Sequence, residues 1–372
     1  MIESLVERED RREAILAGLR DSDLPLVFYG AGASAEALFN MLSAAGVAEK
    51  VLGVFASDPY CTPGLRFHGM EVVPRSALAD MPFAKEKFDV LAAFYIDPHW
   101  KGLMSSLYDL PFVNRVLTLD FSGPSIDYAY VLEHREAFDE TYSLLDDQRS
   151  RDTLVAWLNM KITHDSSCLW DYVTDDQYFP RDVPLGIGSD EVLADCGAYS
   201  GETAIRFAEL TGGRYRRIYC VEPSVQNAVM LRERLRGLKD VTIVPKAAWD
   251  REETLHFLED DNCAHVGERE REREREREIS VQADSLEHIL GDDADSPIIT
   301  MDIEGSELRA LRGAERIISR GRARLAVCVY HKLDDMITIP QYIKSVMPSA
   351  RLYFRTHTCS FYEQVLYAVP AQ

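Results

Sequence analysis

The sequence predicts an α/β protein built from two parallel-sheet domains, the smaller one first. Three observations predict it. The chain has 372 residues, more than one ordinary core accommodates. In both halves, apolar runs of strand length alternate with helical stretches, the pattern of parallel strands covered by helices. Each half also carries a glycine-containing turn directly after its first strand-like run.

In the first half, Pro25–Tyr29 reads as a strand that ends in Gly30-Ala31-Gly32. A helical pattern follows through Ala37, Leu38, Met41 and Leu42 to Gly46. Val51–Phe55, Phe88–Tyr95 and Arg115–Phe121 read as further strands, with a helix through Leu103 and Leu107 before the last. These elements place a smaller α/β domain in residues 1–122, and the stretch resembles the Rossmann-like accessory domains found beside sugar-modifying enzymes. Residues 123–185 differ. Tyr130–Leu145 and Thr153–Ile162 have helical spacing and are followed by polar turns and Tyr178-Phe179-Pro180, so they read as a helical connector.

The second domain takes residues 186–372. Its strand candidates are Val192–Ala194, Ile218–Val221, Val241–Val244, Ile298–Met301 and Arg324–Tyr330. Helical stretches lie between most of them, at Glu202–Leu210, Val225–Leu235, Ser285–Leu290 and Glu307–Ile318. Arg351–Arg355 and Gln364–Val369 are close enough in sequence to form an antiparallel hairpin. Glu268–Glu278 alternates Glu and Arg without a break and buries nothing apolar in either a strand or a helix. It reads as a solvated loop of an expanded hairpin between Leu255–Leu258 and Ile279–Val281.

The formal net charge of -21 repels phosphate backbones and anionic lipid, which argues against nucleic-acid and membrane partners. The seven cysteines form no Cys-x-x-Cys pair, and Cys220 and Cys328 sit in strand-like runs, as small buried hydrophobes do in a reducing compartment. Met1–Arg12 lacks the apolar core of a signal peptide, and no apolar run reaches membrane-spanning length. A cytoplasmic protein is expected.

The chemistry concentrates in Asp195-Cys196-Gly197-Ala198-Tyr199-Ser200-Gly201, which follows a strand and opens a helix. Glycines there let a nucleoside approach the backbone, at the carboxyl end of the strands where open α/β sheets bind ligands. Glu222 ends the next strand and can accept hydrogen bonds from both ribose hydroxyls. The spacing Asp-x-Gly-x-x-x-Gly is not that of a pyrophosphate loop, and no Lys or Arg lies in it. Asp195, Gly197, Ala198, Tyr199, Gly201 and Glu222 therefore form a candidate site for S-adenosylmethionine, which has no phosphate, rather than for NAD. In the first half, Gly30-Ala31-Gly32-Ala33-Ser34-Ala35 fits Gly-x-Gly-x-x-Ala. Phe55-Ala56-Ser57, however, offers no ribose acid, and Asp58 is followed by Pro59. That domain is expected to dock an acceptor or a partner instead of NAD.

The second half resembles the FkbM family of methyltransferases. The resemblance rests on Asp195–Thr203, Val221-Glu222-Pro223, Met301-Asp302-Ile303-Glu304-Gly305-Ser306-Glu307 and Leu311-Arg312-Gly313-Ala314. It extends to Tyr330–Asp335, Arg355-Thr356-His357 and Gln177-Tyr178-Phe179, and covers about residues 140–369. Met301 stands where a lysine is common in the family, and the Glu-Arg run is foreign to it. The resemblance implies a Rossmann-like class I methyltransferase fold. It also implies transfer of a methyl group from S-adenosylmethionine, most often to a hydroxyl of a sugar, glycan precursor or secondary metabolite. N-methylation of a similar precursor is the enzymatic alternative. A nucleotide- or sugar-nucleotide-binding protein with a non-catalytic methyltransferase-like domain is the other.

The transfer requires an aligned nucleophile and a group to take its proton. Asp302 and Glu304 follow the fourth strand and face the same crevice. One suits the methionine end of the cofactor and the other the substrate, though Glu304 equally suits a helix N-terminus. His331 follows the fifth strand and is the best-placed titratable base, ahead of His357. Tyr178 and Trp249 are candidates to lie against the adenosine, and core packing accounts for either nearly as well. The spacing of Asp302, Glu304 and His331 does not select a metal, so none is assigned. The expected partner is a small-molecule or glycan acceptor, and a homo-oligomer is compatible with the sequence.

Overall fold

The fold was analysed in a computed structural model that describes residues 1–93, 106–119, 126–259, 264–266 and 278–371. The chain divides into two compact units. The first comprises Met1–Arg135, Thr153–Val173 and Thr358–Tyr362, the second Glu136–Asp152, Thr174–His357 and Glu363–Gln372. The segment read as a helical connector is shared between them. It does contain helices, at Tyr128–Glu133, Arg135–Leu144 and Gln148–Thr163.

The first unit has a six-stranded sheet of β1 (Leu26–Tyr29), β2 (Val51–Ala56), β3 (Arg66–Phe67), β4 (Met70–Pro74), β5 (Phe88–Ala92) and β6 (Val113–Leu117). The order is β3-β4-β2-β1-β5-β6. All pairs are parallel except β3 with β4. The sequence reading missed β3 and β4, which are short. The helix expected through Leu103 and the ends of the strands expected at Tyr95 and Phe121 lie outside the described residues. The helix Ala33–Ala44 opens after Gly30 and Gly32 as expected. Asp58 is occupied locally, because its Oδ1 accepts the Ser76 N–H at 3.0 Å.

The second unit is organised by a seven-stranded sheet. Its strands are β7 (Glu191–Cys196), β8 (Tyr215–Val221), β9 (Val241–Val244), β14 (Ile298–Met301), β15 (Arg324–Cys328), β16 (Arg351–Thr356) and β17 (Gln364–Val369). A four-stranded sheet, ordered β10-β13-β11-β12, joins β10 (Ala247–Trp249), β11 (Glu253–Glu259), β12 (Ala264–Val266) and β13 (Glu278–Ser285). The order in the large sheet is β16-β17-β15-β14-β7-β8-β9. β17 runs antiparallel to both neighbours, so the expected terminal hairpin is present. The other pairs are parallel. β14, β15 and β17 are buried along their whole length, as expected for continuous apolar runs covered on both faces.

Register brings the motif loops to one edge. Asp195 pairs with Cys220 and with Thr300, while Cys196 pairs with Val221 and with Met301. The residues that follow each strand, from Gly197, Glu222 and Asp302, therefore emerge side by side. The Leu255–Leu258 and Ile279–Val281 runs do pair as an antiparallel hairpin. The Glu-Arg run, apart from Glu278 at the start of β13, lies outside the described residues.

Two helices depart from expectation. The stretch expected as Glu307–Ile318 is broken into Glu307–Arg312 and Glu315–Ser319. At the break sits Gly313, where a Cβ would fall 1.9 Å from the Trp249 carbonyl oxygen. The helix Asp335–Val346 was not expected, and Pro340 lies inside it. Proline cannot donate to the carbonyl four residues back. Here that carbonyl, Met336 O, accepts the Thr141 hydroxyl at 3.3 Å instead.

Among the described residues, no helix is long and apolar enough to cross a membrane.

Candidate active site

Asp195, at the end of β7, is 2% exposed. Its Oδ1 accepts the Thr300 hydroxyl at 2.7 Å, while Oδ2 is buried with no protein partner among the described residues. Burial pushes the Asp195 carboxyl up to about 7, with the Thr300 bond opposing and the charges of Asp302 and Glu222 adding.

The glycines of this loop are required by geometry. Gly197 has φ +81°, and a Cβ there would lie 1.9 Å from the Asp302 carbonyl oxygen. Gly201 has φ +80°, and its Cβ would press on Leu231 and Leu235. The Gly197 N–H donates to Val221 O at 2.9 Å, and the Asp302 N–H donates to Cys196 O at 3.0 Å. Loop, second strand and fourth strand are thus tied through backbone. Ala198 is buried, whereas Tyr199 is 57% exposed at φ +39°. Its N–H donates to Glu222 Oε2 at 3.0 Å. Glu222 is buried. Its Oε1 accepts the Ser224 N–H at 2.9 Å and the Asn227 amide at 3.3 Å. The carboxylate that the sequence places at a ribose is therefore also the clamp that orders the loop.

A second cluster surrounds Asp302. Its carboxylate accepts the Tyr178 hydroxyl at 3.1 Å and the Tyr330 hydroxyl at 3.1 and 3.2 Å. His331 Nε2 lies 3.3 Å from Asp302 Oδ1 and 3.6 Å from Glu304 Oε2, and Nδ1 lies 3.0 Å from Glu307 Oε1. Glu307 is wholly buried and its Oε1 also accepts the Ile303 N–H at 2.9 Å. Burial works against charge on His331, but the facing carboxylates of Asp302 and Glu307 outweigh it and raise the imidazole to about 11. Burial likewise opposes ionisation of Asp302, yet His331 and the two tyrosines hold its carboxyl below the usual range. Burial and the Asp302 charge drive Tyr178 well above the ordinary phenol range.

The structure thus brings Tyr178, Asp302, Glu304 and His331 together, and joins them to Asp195, Gly197, Ala198, Tyr199, Gly201 and Glu222 through the Gly197–Asp302 backbone contact. Trp249 sits differently, packed with Ala247, Val281 and Ala283, with the Arg309 guanidinium 5.3 Å over its ring. His357 is engaged by Thr174 O and the Tyr367 hydroxyl at 2.7 and 2.8 Å. Burial depresses it to about 4, so it is neutral at physiological pH. Asp302, Glu307 and His331 offer donor atoms within 4.8 Å of one another. Both imidazole nitrogens there face carboxylates, Nε2 towards Asp302 and Nδ1 towards Glu307.

Sequence reasoning did not single out Glu307, Tyr330 or Thr300 as site residues. It also missed Glu363, whose carboxylate lies within 4.8 Å of Asp302 and Cys328 donor atoms. The Gln177 amide donates to Glu363 Oε2. The Glu363 backbone is left-handed at φ +64°, and no local pattern marks it.

The sheet order and the loop at its carboxyl edge are those of a Rossmann-like methyltransferase fold. Residues 195–351 match the methyltransferase FkbM domain, so this part of the chain carries a methyltransferase domain. Its fold is similar, over 98% of this chain and 94% of the other, to the crystal structure of methyltransferase FkbM from Methylobacillus flagellatus KT, with TM-score 0.63 and 20% identity. An rRNA methylase from Streptococcus thermophilus aligns with 50% of this chain and 92% of its own, at TM-score 0.33 and 14% identity. No curated protein sequence matches the chain.

One stability prediction arises at Asp195. Its folded pKa lies above its unfolded value, so its contribution to stability is present at low pH and is lost as pH rises through about 7. Asp195→Asn keeps an acceptor for Thr300 and removes the buried charge. Without cofactor at pH 8, the variant is expected to be more stable than the parent by about 2–4 kcal/mol. Denaturant unfolding at pH 5 and pH 8 checks this, and a gap that does not widen with pH contradicts it.

Proposed function

We propose that this domain methylates a hydroxyl oxygen of a small-molecule or glycan acceptor. The cofactor S-adenosylmethionine supplies a methyl group on a sulfonium, open to direct displacement. The observation that carries the reading is the Asp302 cluster lying against the Asp195–Gly201 loop, which sets acid and phenol groups beside a nucleoside cradle.

The chain's own residues fit this cofactor. Asp195 presents a buried carboxylate oxygen with no partner among the described residues, suited to a ligand carrying positive charge. Glu222 is already ordered by Tyr199 and Ser224 and suits the ribose hydroxyls. Gly197 and Gly201 allow backbone approach, and Ala198 and Tyr199 border the same loop. Tyr178 and Asp302 suit the end of the cofactor nearest the acceptor.

The carboxylates of Asp302, Glu304 and Glu363 also suit a protonated amine, which keeps N-methylation as the second reading. The first unit is assigned to docking of the acceptor or a partner, because Asp58, the acid that follows β2, accepts the Ser76 N–H.

The test has two parts. Calorimetric titration of the full chain is expected to show S-adenosylmethionine binding and no response to NAD. Glu222→Gln preserves shape and one acceptor but loses the charge, and should weaken that binding about 10- to 100-fold. An unchanged dissociation constant removes Glu222 from the site. A methyl-transfer screen across sugar nucleotides, glycosides and the corresponding amines then identifies the acceptor. Products methylated only at nitrogen overturn the hydroxyl reading.

A further inference from the structure

We propose that Glu363, immediately before the second hairpin strand and steadied by Gln177, is the general base that takes the proton from the acceptor. This rests on the reading of the domain as a methyltransferase acting on a hydroxyl.

Among the other titratable groups of the cluster, Glu304 faces the His331 imidazole at 3.6 Å, and His331, Asp302, Tyr178 and Tyr330 are committed. His331 is held between Asp302 and Glu307 and already carries a proton at neutral pH, so it has no lone pair to offer. Asp302 is consumed as an acceptor by two phenols and that imidazolium. Tyr178 and Tyr330 are donors and are driven far from ionisation. Glu363 receives one amide bond, from Gln177. It sits in the same cluster as Asp302 and Cys328.

The groups facing Glu363 come from every neighbouring element. Asp302 and Glu304 face it from the loop after β14, His331 and Tyr330 from beyond β15, Cys328 from β15 itself, and Gln177 and Tyr178 from the segment before β7. Burial first, and then the Asp302 charge, raise its carboxyl to about 7, against the pull of Gln177 and His331. A carboxylate poised near neutrality both accepts a proton and releases it after turnover. In the step, the acceptor oxygen bonds to the methyl carbon and the electron pair of the breaking carbon–sulfur bond goes to sulfur. The hydroxyl proton passes to a Glu363 oxygen, and S-adenosylhomocysteine is left as a neutral sulfide.

The experiment compares the full chain with Glu363→Gln. Carbon-13 NMR of glutamate-labelled protein is expected to show one side-chain carboxyl titrating between about pH 6 and 8, absent in the variant. With the acceptor from the screen, kcat should fall about 10²–10⁴-fold. The acid limb of the kcat/KM profile should disappear while S-adenosylhomocysteine affinity is retained, and retained affinity also shows that the variant folds. If turnover and its pH limb survive, or no glutamate resonance is lost in that range, the assignment is overturned. Failure of the screen to yield any acceptor counts against the hydroxyl reading. The titration alone then decides whether Glu363 is the poised carboxylate.

Discussion

Gly197→Ala is expected to cost about 4 kcal/mol or more, lowering the melting temperature by about 10 °C, and to abolish measurable S-adenosylmethionine binding. The left-handed backbone at Gly197 costs any other residue about 1–3 kcal/mol. The larger part is steric. A methyl group 1.9 Å from the Asp302 carbonyl oxygen meets backbone, which cannot rotate aside. The loops after β7 and β14 must separate, which breaks the Asp302 N–H bond to Cys196 O and moves both halves of the site together. Gly237→Ala is the control, because a Cβ there meets nothing within 4 Å. It should change stability by less than about 0.5 kcal/mol. Thermal melts of the two variants side by side check the contrast, and similar losses would show that the contact is softer than its geometry.

His331→Ala should destabilise the second unit by about 3–5 kcal/mol, the usual consequence of removing one partner from a buried ion pair. Glu307, wholly buried, would lose the ring that faces its Oε1 at 3.0 Å. The sign with pH is set by the raised imidazole. Its folded pKa of about 11 lies above the unfolded value of 6.5. The stability it contributes is therefore full below about pH 6.5 and is lost progressively as pH rises through 11. The melting-temperature gap between parent and variant should be widest near pH 6 and narrower at pH 9. A gap independent of pH would mean that the ring is packed but uncharged. Turnover should fall as well, through loss of the group that holds Asp302 in place.

Much of this arrangement was legible in the sequence. Asp195, Gly197, Gly201 and Glu222 follow apolar strands at short range, and glycine plus a strand end is a local signal. The strand register then makes their meeting a consequence of the fold. Asp302 was legible for the same reason. The charge state of His331 was not, because it depends on Glu307 and Asp302, which approach it from the preceding crossover. Glu363 left no trace, since a glutamate in a polar turn looks like any solvated residue until β17 is threaded between β15 and β16. The helix Asp335–Val346 was not expected and holds Pro340 inside it, and only the distant Thr141 hydroxyl shows how the missing donor is tolerated. Trp249 was equally open to packing or stacking from sequence, and its neighbours Ala247, Val281 and Ala283 place it in a core.

The two halves of the site are also inherited differently. The proposed cofactor cradle lies in one uninterrupted stretch from Asp195 to Glu222, where Gly197 N–H donates to Val221 O and Tyr199 N–H to Glu222. The acid pocket is gathered from Gln177 and Tyr178, the Asp302–Glu307 loop, Cys328–His331 and Glu363. A duplicated gene can therefore drift at one of these scattered segments, trading one acceptor for another, while selection holds the cradle fixed. Diversification of such a lineage is expected to show a slow-changing cofactor stretch beside fast-changing positions near 177, 304 and 363.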